Sequence, residues 1–318
     1  MFISIVLSFY NEEKVIPALV DRLRLALDIK YKKRYELIFV NDDSTDKSLA
    51  LLKKAARGHK DIKIINMSRN FGVGVCVMAG LKHACGDAVI YMDADLQDPP
   101  ELIPKLITLW EESGDIEIVN TVRISRAGEH PIKLWLTKVG YFLLRWASDI
   151  KITPDAGDFK LLSRRAVNEL IKLEEEKPFV RGFVSWIGFK QAEVFYHRDA
   201  RWGGKTKFPI YSRKVIDNFL ESALISFSDA PLKISLLLGF LVSMGAFSYL
   251  AAIFVMKLFN LNLPGWSAIM ATILFLGGVQ LLTIGVLGLY VGAIYRQTRN
   301  RPNYIIKNLL GFDNVHVK

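Results

Sequence analysis

Two long stretches without a charged side chain decide what this chain can fold into. Ile234 to Met256 runs 23 residues and Trp266 to Tyr295 runs 30. As a helix the first is about 35 Å long, more than the roughly 30 Å hydrocarbon core of a bilayer. The second spans with tilt or projects from one interface. The link from Lys257 to Gly265 is short, so the two spans form a hairpin with both ends on one side. Lys205, Lys207, Arg213, Lys214 and Lys233 precede the hairpin, and Arg296, Arg299, Arg301 and Lys307 follow it, whereas the link carries only Lys257. This bias places residues 1–230 and the tail in the cytoplasm, with the spans in an inner or plasma membrane. Gly277-Gly278 and Gly285-Val286-Leu287-Gly288 either allow close helix contact or are ordinary glycines of membrane helices.

The expected organisation is a catalytic domain over 1–210, a juxtamembrane helix over 211–230, the hairpin over 231–295 and a basic tail over 296–318. Between Tyr211 and Ser228, Val215, Ile216, Phe219, Leu220, Ala223 and Leu224 recur at helical spacing opposite Lys214, Asp217, Asn218 and Glu221. Such a helix lies on the membrane surface or packs on the catalytic domain. Met1 leads directly into Phe2–Ser8 with no basic n-region and no small-residue cleavage site, which reads as a strand and not as a signal peptide.

Residues 1–120 alternate strand and helix patterns. Strands are expected at Ile3–Phe9, Glu36–Val40, Ile62–Met67, Ala88–Asp93 and Ile116–Val122. Helices are expected at Val15–Leu27, Ser44–Arg57 with Ser44 or Thr45 as N-cap, Val75–Cys85 and Pro100–Glu112. The alternation implies an α/β fold, a mostly parallel sheet with helices on both faces. Ligands bind such sheets at the carboxyl ends of the strands. Polar clusters stand there: Tyr10-Asn11-Glu12, Asn41-Asp42-Asp43-Ser44, Ser68-Arg69-Asn70 and Asp93-Ala94-Asp95. In the last, alternate side chains share a face, so Asp93 and Asp95 can address one object. Two acids and an amide oxygen at a strand end suit a hard divalent cation, Mg²⁺ or Mn²⁺.

The chain carries 42 basic and 32 acidic residues, a net charge of +10, which calls for an anionic partner. The basic residues cluster at the membrane boundary and not along one soluble face, which argues against nucleic acid. Cys76 and Cys85 have no metal-knuckle spacing and read as free thiols on a helix packed against the sheet, suited to a reducing compartment. Gly72-Val73-Gly74 lacks a third glycine at Val77 and follows the third strand, so it is no dinucleotide fingerprint, and no phosphate-loop Gly-Lys-Ser/Thr occurs. The five histidines lack zinc-ligand spacing.

Taken in order, Ser8-Phe9-Tyr10-Asn11-Glu12, Val40-Asn41-Asp42-Asp43-Ser44-Thr45-Asp46, Ser68-Arg69-Asn70-Phe71-Gly72, Asp93-Ala94-Asp95-Leu96-Gln97-Asp98-Pro99-Pro100-Glu101 and Asp155-Ala156-Gly157-Asp158-Phe159-Lys160-Leu161 closely resemble family 2 glycosyltransferases of GT-A fold. Among these the chain is most similar to polyprenyl-phosphate glycosyltransferases, relatives of dolichyl-phosphate mannose synthase. The nearest match is the bacterial branch with two C-terminal membrane helices, the undecaprenyl-phosphate glucosyltransferases of the GtrB type. The resemblance implies transfer of a sugar from a nucleotide donor to polyprenyl phosphate, with inversion. It implies that Asp93, Asp95 and Gln97 hold Mg²⁺ or Mn²⁺ against the donor diphosphate, Asp93 touching the nucleotide sugar as well. Asp42, helped by Tyr10 and Glu12, would bind the base or ribose. Arg123 and Lys133 would bind the acceptor phosphate, and Arg201 would lie near the diphosphate. Asp158 or Asp155 would orient the acceptor or act as a base. The chain departs from the family pattern at Asp43, where glycine is usual, at Val73, where lysine is common, and at Lys160, where arginine is common.

UDP-glucose is the favoured donor and undecaprenyl or dolichyl phosphate the acceptor, with mannose, GlcNAc or aminoarabinose as other donor sugars. A processive polysaccharide synthase would carry Gln-x-x-Arg-Trp, yet Phe142 stands three residues before Arg145-Trp146. A non-catalytic membrane scaffold would have lost the metal acids, which are intact. Self-association, as a homo-oligomer, stays open.

Overall fold

Long runs of buried side chains build the centre of the sheet. Strands β1 (Ile3–Phe9) and β2 (Tyr35–Asn41) are buried at every position, and β3 (Ile62–Met67) and β4 (Ala88–Asp93) at all but one. Parallel strands covered on both faces need such runs. β1 pairs in parallel with β2 and β4, and β2 with β3. The structure is a computed structural model that describes residues 1–31, 34–126, 156–198, 230–259 and 265–312.

Two faces follow from the alternation of side chains. Ile5, Leu7, Leu37, Phe39, Ile90 and Met92 share one hydrophobic core with Leu19, Leu23 and Leu27 of α1 (Ile16–Tyr31) and Ile103, Leu106 and Ile107 of α4 (Ile103–Ser113). Val6 and Val40 face the other way, toward α3 (Val73–His83). Gly80 lets that helix come close: a Cβ there would sit 2.2 Å from Val6 Cγ1 and 3.2 Å from Val40 Cγ2.

Beyond α4 the sheet continues through β5 (Ile118–Arg126), β6 (Ala156–Ser163), α5 (Arg164–Leu170), α6 (Val180–Trp186) and β7 (Gln191–Arg198). β6 runs antiparallel between β4 and β5, and β7 parallel to β5. The eight-stranded order is β7-β5-β6-β4-β1-β2-β3-β8, where β8 is Ile306–Leu310, antiparallel to β3. The expected basic tail therefore contains a strand of the catalytic sheet.

The described residues form two compact units, one of 1–126, 156–198 and 301–312, the other of 230–259 and 265–300. The second holds α7 (Ala230–Leu258) and α8 (Trp266–Thr298), which contact one another and are long and apolar enough to cross a membrane. A Cβ on Gly277, Gly278, Gly285 or Gly288 would meet nothing within 4 Å, so these glycines do not mediate close contact between the two helices.

Local expectations shifted in several places, and β5 in particular is Ile118–Arg126, not Ile116–Val122. Helix α2 is Ser48–Ala55, not Ser44–Arg57. Ser44 and Thr45 do not cap it; they bind the first loop instead, Ser44 Oγ accepting from Asn11 N–H at 3.0 Å and Thr45 N–H donating to Asn11 Oδ1 at 2.8 Å. Pro100–Leu102 forms a 3₁₀ turn ahead of α4. Cys76 is buried, but Cys85 lies past the end of α3 and is exposed. The juxtamembrane helix expected over 211–230 lies almost wholly outside the described residues.

Candidate active site

Parallel register brings the carboxyl ends of β1, β2, β3 and β4 to one edge. Ser8 stands opposite Asp93 across β1 and β4, and Asn41 opposite Asn66 across β2 and β3. Asn41 Nδ2 donates to Asn66 Oδ1 at 2.6 Å, and Asn41 Oδ1 accepts from Ser44 N–H at 3.1 Å. The turn after β2 needs Asp43 in the left-handed region, φ 58°. Aspartate tolerates that region better than most side chains, which explains an Asp where the family usually has glycine.

Asp42 is buried and organises the neighbouring loop. Its Oδ1 accepts from Phe71 N–H at 2.7 Å and its Oδ2 from Gly72 N–H at 2.9 Å. Gly72 opens α3 at φ 99°. Asp42 thus shapes the wall where a nucleotide was expected, and burial beside it pushes the Cys76 thiol up. Glu12 is buried; its N–H donates to Ser48 Oγ at 2.8 Å and its carbonyl accepts from Val15 and Ile16 at the start of α1. Tyr10 sits half-buried at the same edge.

Asp93 closes β4, with Ala94 turned into the core and Asp95 back toward the edge. Leu96 is buried at φ 56°. A leucine held there costs roughly 1–2 kcal/mol, a strain of the kind that collects at functional turns. The turn lets Gln97 N–H donate to Asp95 Oδ1 at 3.1 Å. Burial pushes the Asp93 carboxyl up to about 8, reinforced by Asp158, Asp95 and Asp98 and opposed by Arg181.

β6 supplies the opposing row. Tyr91 pairs with Lys160, and the same register carried two residues further sets Asp93 against Asp158. Two carboxylates across a strand pair repel, and Arg181 from α6 answers them. Its Nε donates to Asp158 Oδ1 at 2.6 Å and its Nη2 to Oδ2, a bidentate pair. Burial raises the Asp158 carboxyl, but Arg181, with Lys160 and Arg123, outweighs it and holds the group below its usual range. Beneath lies Lys160, buried, donating to Asn120 Oδ1 at 2.6 Å. Burial, with Arg181 and Arg123 nearby, brings its ammonium down to about 7.

Arg123 joins a second charged group. Its Nε donates to Tyr196 Oη at 3.2 Å and its Nη2 lies 3.7 Å from Asp98 Oδ2. Asp98 is fully buried, accepts from Tyr196 Oη and lies 3.4 Å from Arg198 Nε. The side chain expected to meet an acceptor phosphate is therefore anchored by an internal carboxylate. Lys133, Asp155 and Arg201 lie outside the described residues.

A family model described as glycosyl transferase family 2 matches residues 4–171, more than half of the chain and the segments that carry Asp42, Asp93, Asp95 and Asp158. The chain belongs to glycosyltransferase family 2. It is 41% identical to the uncharacterized glycosyltransferase YkcC of Bacillus subtilis (strain 168), over 98% of this chain and 95% of that protein. It is 37% identical to the bactoprenol glucosyl transferase of Shigella phage SfV, over 97% of this chain and 99% of the other. Glucosyl-3-phosphoglycerate synthase from Mycobacterium tuberculosis, solved with Mn²⁺, uridine-diphosphate-glucose and phosphoglyceric acid, is 20% identical with a TM-score of 0.46, covering 69% of this chain and 78% of that one. This chain is thus a glycosyltransferase of GT-A-like fold.

Four side chains in or beside the site were assigned no role from sequence. Asp98 stood in plain view within Asp93–Pro100, but nothing local says that it faces inward. Arg181, Tyr196 and Arg198 sit on elements the sequence pattern left undefined, and only their strand and helix partners bring them here.

Proposed function

We propose that this glycosyltransferase transfers glucose from UDP-glucose to the phosphate of a membrane-embedded polyprenol, undecaprenyl phosphate, with inversion at the anomeric carbon. One observation carries the reading: a family 2 catalytic unit and two membrane-length helices lie in a single chain, and proteins named bactoprenol glucosyl transferase match it across both units at 36–37% identity. In this reading the hairpin spans the inner membrane and holds the catalytic unit at the cytoplasmic surface, where tethering raises the effective concentration of site relative to lipid headgroup.

A divalent cation, Mg²⁺ or Mn²⁺, fits the residues present. Asp93 is a carboxyl pushed up to about 8 by burial and its acidic neighbours, an environment short of positive charge. Ser8 Oγ and Tyr91 Oη are buried in the same row with no hydrogen-bond partner among the described residues. Asp93, Asp95 and Gln97 would hold the ion. Among the described residues no three His, Cys, Asp or Glu side chains are placed to hold an ion together, so water and donor phosphates would have to complete its shell, as hard cations accept. When bound, the ion neutralises charge on the departing nucleoside diphosphate.

The chain's own groups supply the rest. Asp42, Tyr10 and Glu12 line the nucleotide side. Arg123 and Lys133 draw the acceptor phosphate, and Arg201 adds charge near the diphosphate. Asp158, held ionised by Arg181, orients groups opposite Asp93, with Asp155 as the other carboxylate assigned that role from the sequence. A phosphate monoester has a second pKa of about 6 and arrives largely deprotonated, so no strong base is required.

Purified protein incubated with undecaprenyl phosphate, Mg²⁺ or Mn²⁺ and labelled UDP-glucose should yield lipid-linked glucose, with mannose, GlcNAc and aminoarabinose donors as competitors. If no donor yields lipid-linked sugar, the reading fails. If Asp95→Asn transfers at the wild-type rate, the metal assignment fails.

A further inference from the structure

The chain leaving the second long helix enters the catalytic sheet almost at once. Ser68 N–H donates to the Ile305 carbonyl at 2.9 Å, and β8 follows along β3. Gly311 at φ 78° passes where a Cβ would be 2.6 Å from the Ile62 carbonyl. Phe312 then lies 5.1 Å from Lys63 Nζ and 5.7 Å, edge-on, from the His83 ring. These contacts fix the segment to β3.

From that fixed base, Asn303 reaches a distant piece of chain. Its Nδ2 donates to the Glu175 carbonyl at 2.8 Å, across 128 residues of sequence. Tyr304 beside it has its hydroxyl pKa raised, by burial and then by Glu174. Glu174 and Glu175 belong to the link between α5 and α6. The same link is gripped by α3, because the Pro178 carbonyl lies only 2.5 Å from where a Cβ on Gly74 would be. Three residues further on is Arg181, the partner of Asp158. Helix α6 has seven residues, with Val180, Gly182, Phe183 and Val184 buried, so its placement follows the link that enters it.

Resting on the transfer reading above, we infer that Asn303, five residues past the end of α8, is a positioning residue for the active site. Its hydrogen bond to Glu175 sets the link that presents Arg181 to Asp158. The segment that emerges from the membrane hairpin thereby helps set the carboxylate row facing Asp93. Asn303 touches no substrate; it acts through Arg181.

The test uses the full-length protein in nanodiscs. Asn303→Asp keeps the side chain's shape and removes its donor. It should lower kcat about 3- to 10-fold and leave the donor KM unchanged. In an Arg181→Lys background the same substitution should cost less than about twofold, because both act on one element. Gly74→Ala, which presses on the link from the other side, should give the same profile. Hydrogen exchange at Val180–Trp186 should quicken in Asn303→Asp while β1 and β2 stay protected. A fully multiplicative double mutant, or unchanged exchange at Val180–Trp186, overturns the inference. If wild-type protein makes no lipid-linked sugar, the transfer reading falls, and the exchange measurement still decides the role of Asn303.

Discussion

Gly157→Ala is the most exacting test of the charged core beside the site. Gly157 precedes Asp158 on β6, and its missing side chain is the space in which Arg123 lies. A Cβ there would stand 2.9 Å from Arg123 Nη2 and 3.2 Å from both Cζ and Nε. Contacts that tight force a neighbour to move by several tenths of an ångström. A free arginine would swing away, but this one is held by Tyr196 at 3.2 Å and by Asp98, whose side chain is wholly buried. Overpacking of this kind costs about 1–3 kcal/mol. For a catalytic unit of this size each kcal/mol lowers Tm by about 2–4 °C, so the expected loss is about 2–12 °C. The assay is a thermal melt of Gly157→Ala, Arg123→Ala and the double variant. Once Arg123 is truncated the new methyl meets open space, so Gly157→Ala should then cost less than about 0.5 kcal/mol. Equal losses in both backgrounds would refute the reasoning.

Three further outcomes follow from the same geometry. Asp93 in the folded protein sits well above an unfolded carboxylate, about 3.9, so its contribution to stability is full below that value and is lost as pH climbs toward about 8. Lys160, lowered to about 7, works in the opposite sense above pH 7; melts in EDTA between pH 5 and 7 should therefore fall with pH for wild type and stay flatter for Asp93→Asn. Gly80→Ala places a methyl 2.2 Å from Val6 Cγ1 and should lower Tm by an amount like that of Gly157→Ala, with no rescue by Arg123→Ala. Maleimide should label Cys85 in the folded protein and reach Cys76 only after denaturation, as counted by mass spectrometry.

The parts of the fold that could be read from sequence are those whose cause is local. β1, β3 and β4 were read at their observed ends because each is a mostly apolar run closed by a polar cluster. The membrane-length helices needed only a count of uncharged residues. β8 could not be read this way: Ile306-Lys307-Asn308-Leu309-Leu310 is short and mixed, and becomes a strand because β3, some 240 residues earlier, offers it an edge. Ser44 and Thr45 carry helix-cap chemistry, yet Asn11 competes for their hydroxyl and amide groups and wins. The carboxylates of the site were visible as residues. Of their cations Arg123 and Lys160 were visible too, but Arg181 and Arg198 were not, because they reach the carboxylates only through packing.

The pairing of Asp158 also bears on what the site can accept. An alcohol acceptor needs a base free to take its proton, and a good base has a pKa near the working pH. Asp158 is the reverse: both its oxygens are bound by one guanidinium, and its carboxyl is held below the ordinary range. A group fixed in that way aligns its neighbours well and takes up protons poorly. Asp93, pushed the other way to about 8, is committed in the proposed mechanism to the diphosphate side. A site with its two facing carboxylates so divided suits an acceptor that arrives already ionised and needs only to be aligned. A phosphate monoester, with a second pKa of about 6, is such an acceptor. The chemistry of the carboxylate row and the two membrane-length helices thus point, by separate routes, to a lipid phosphate.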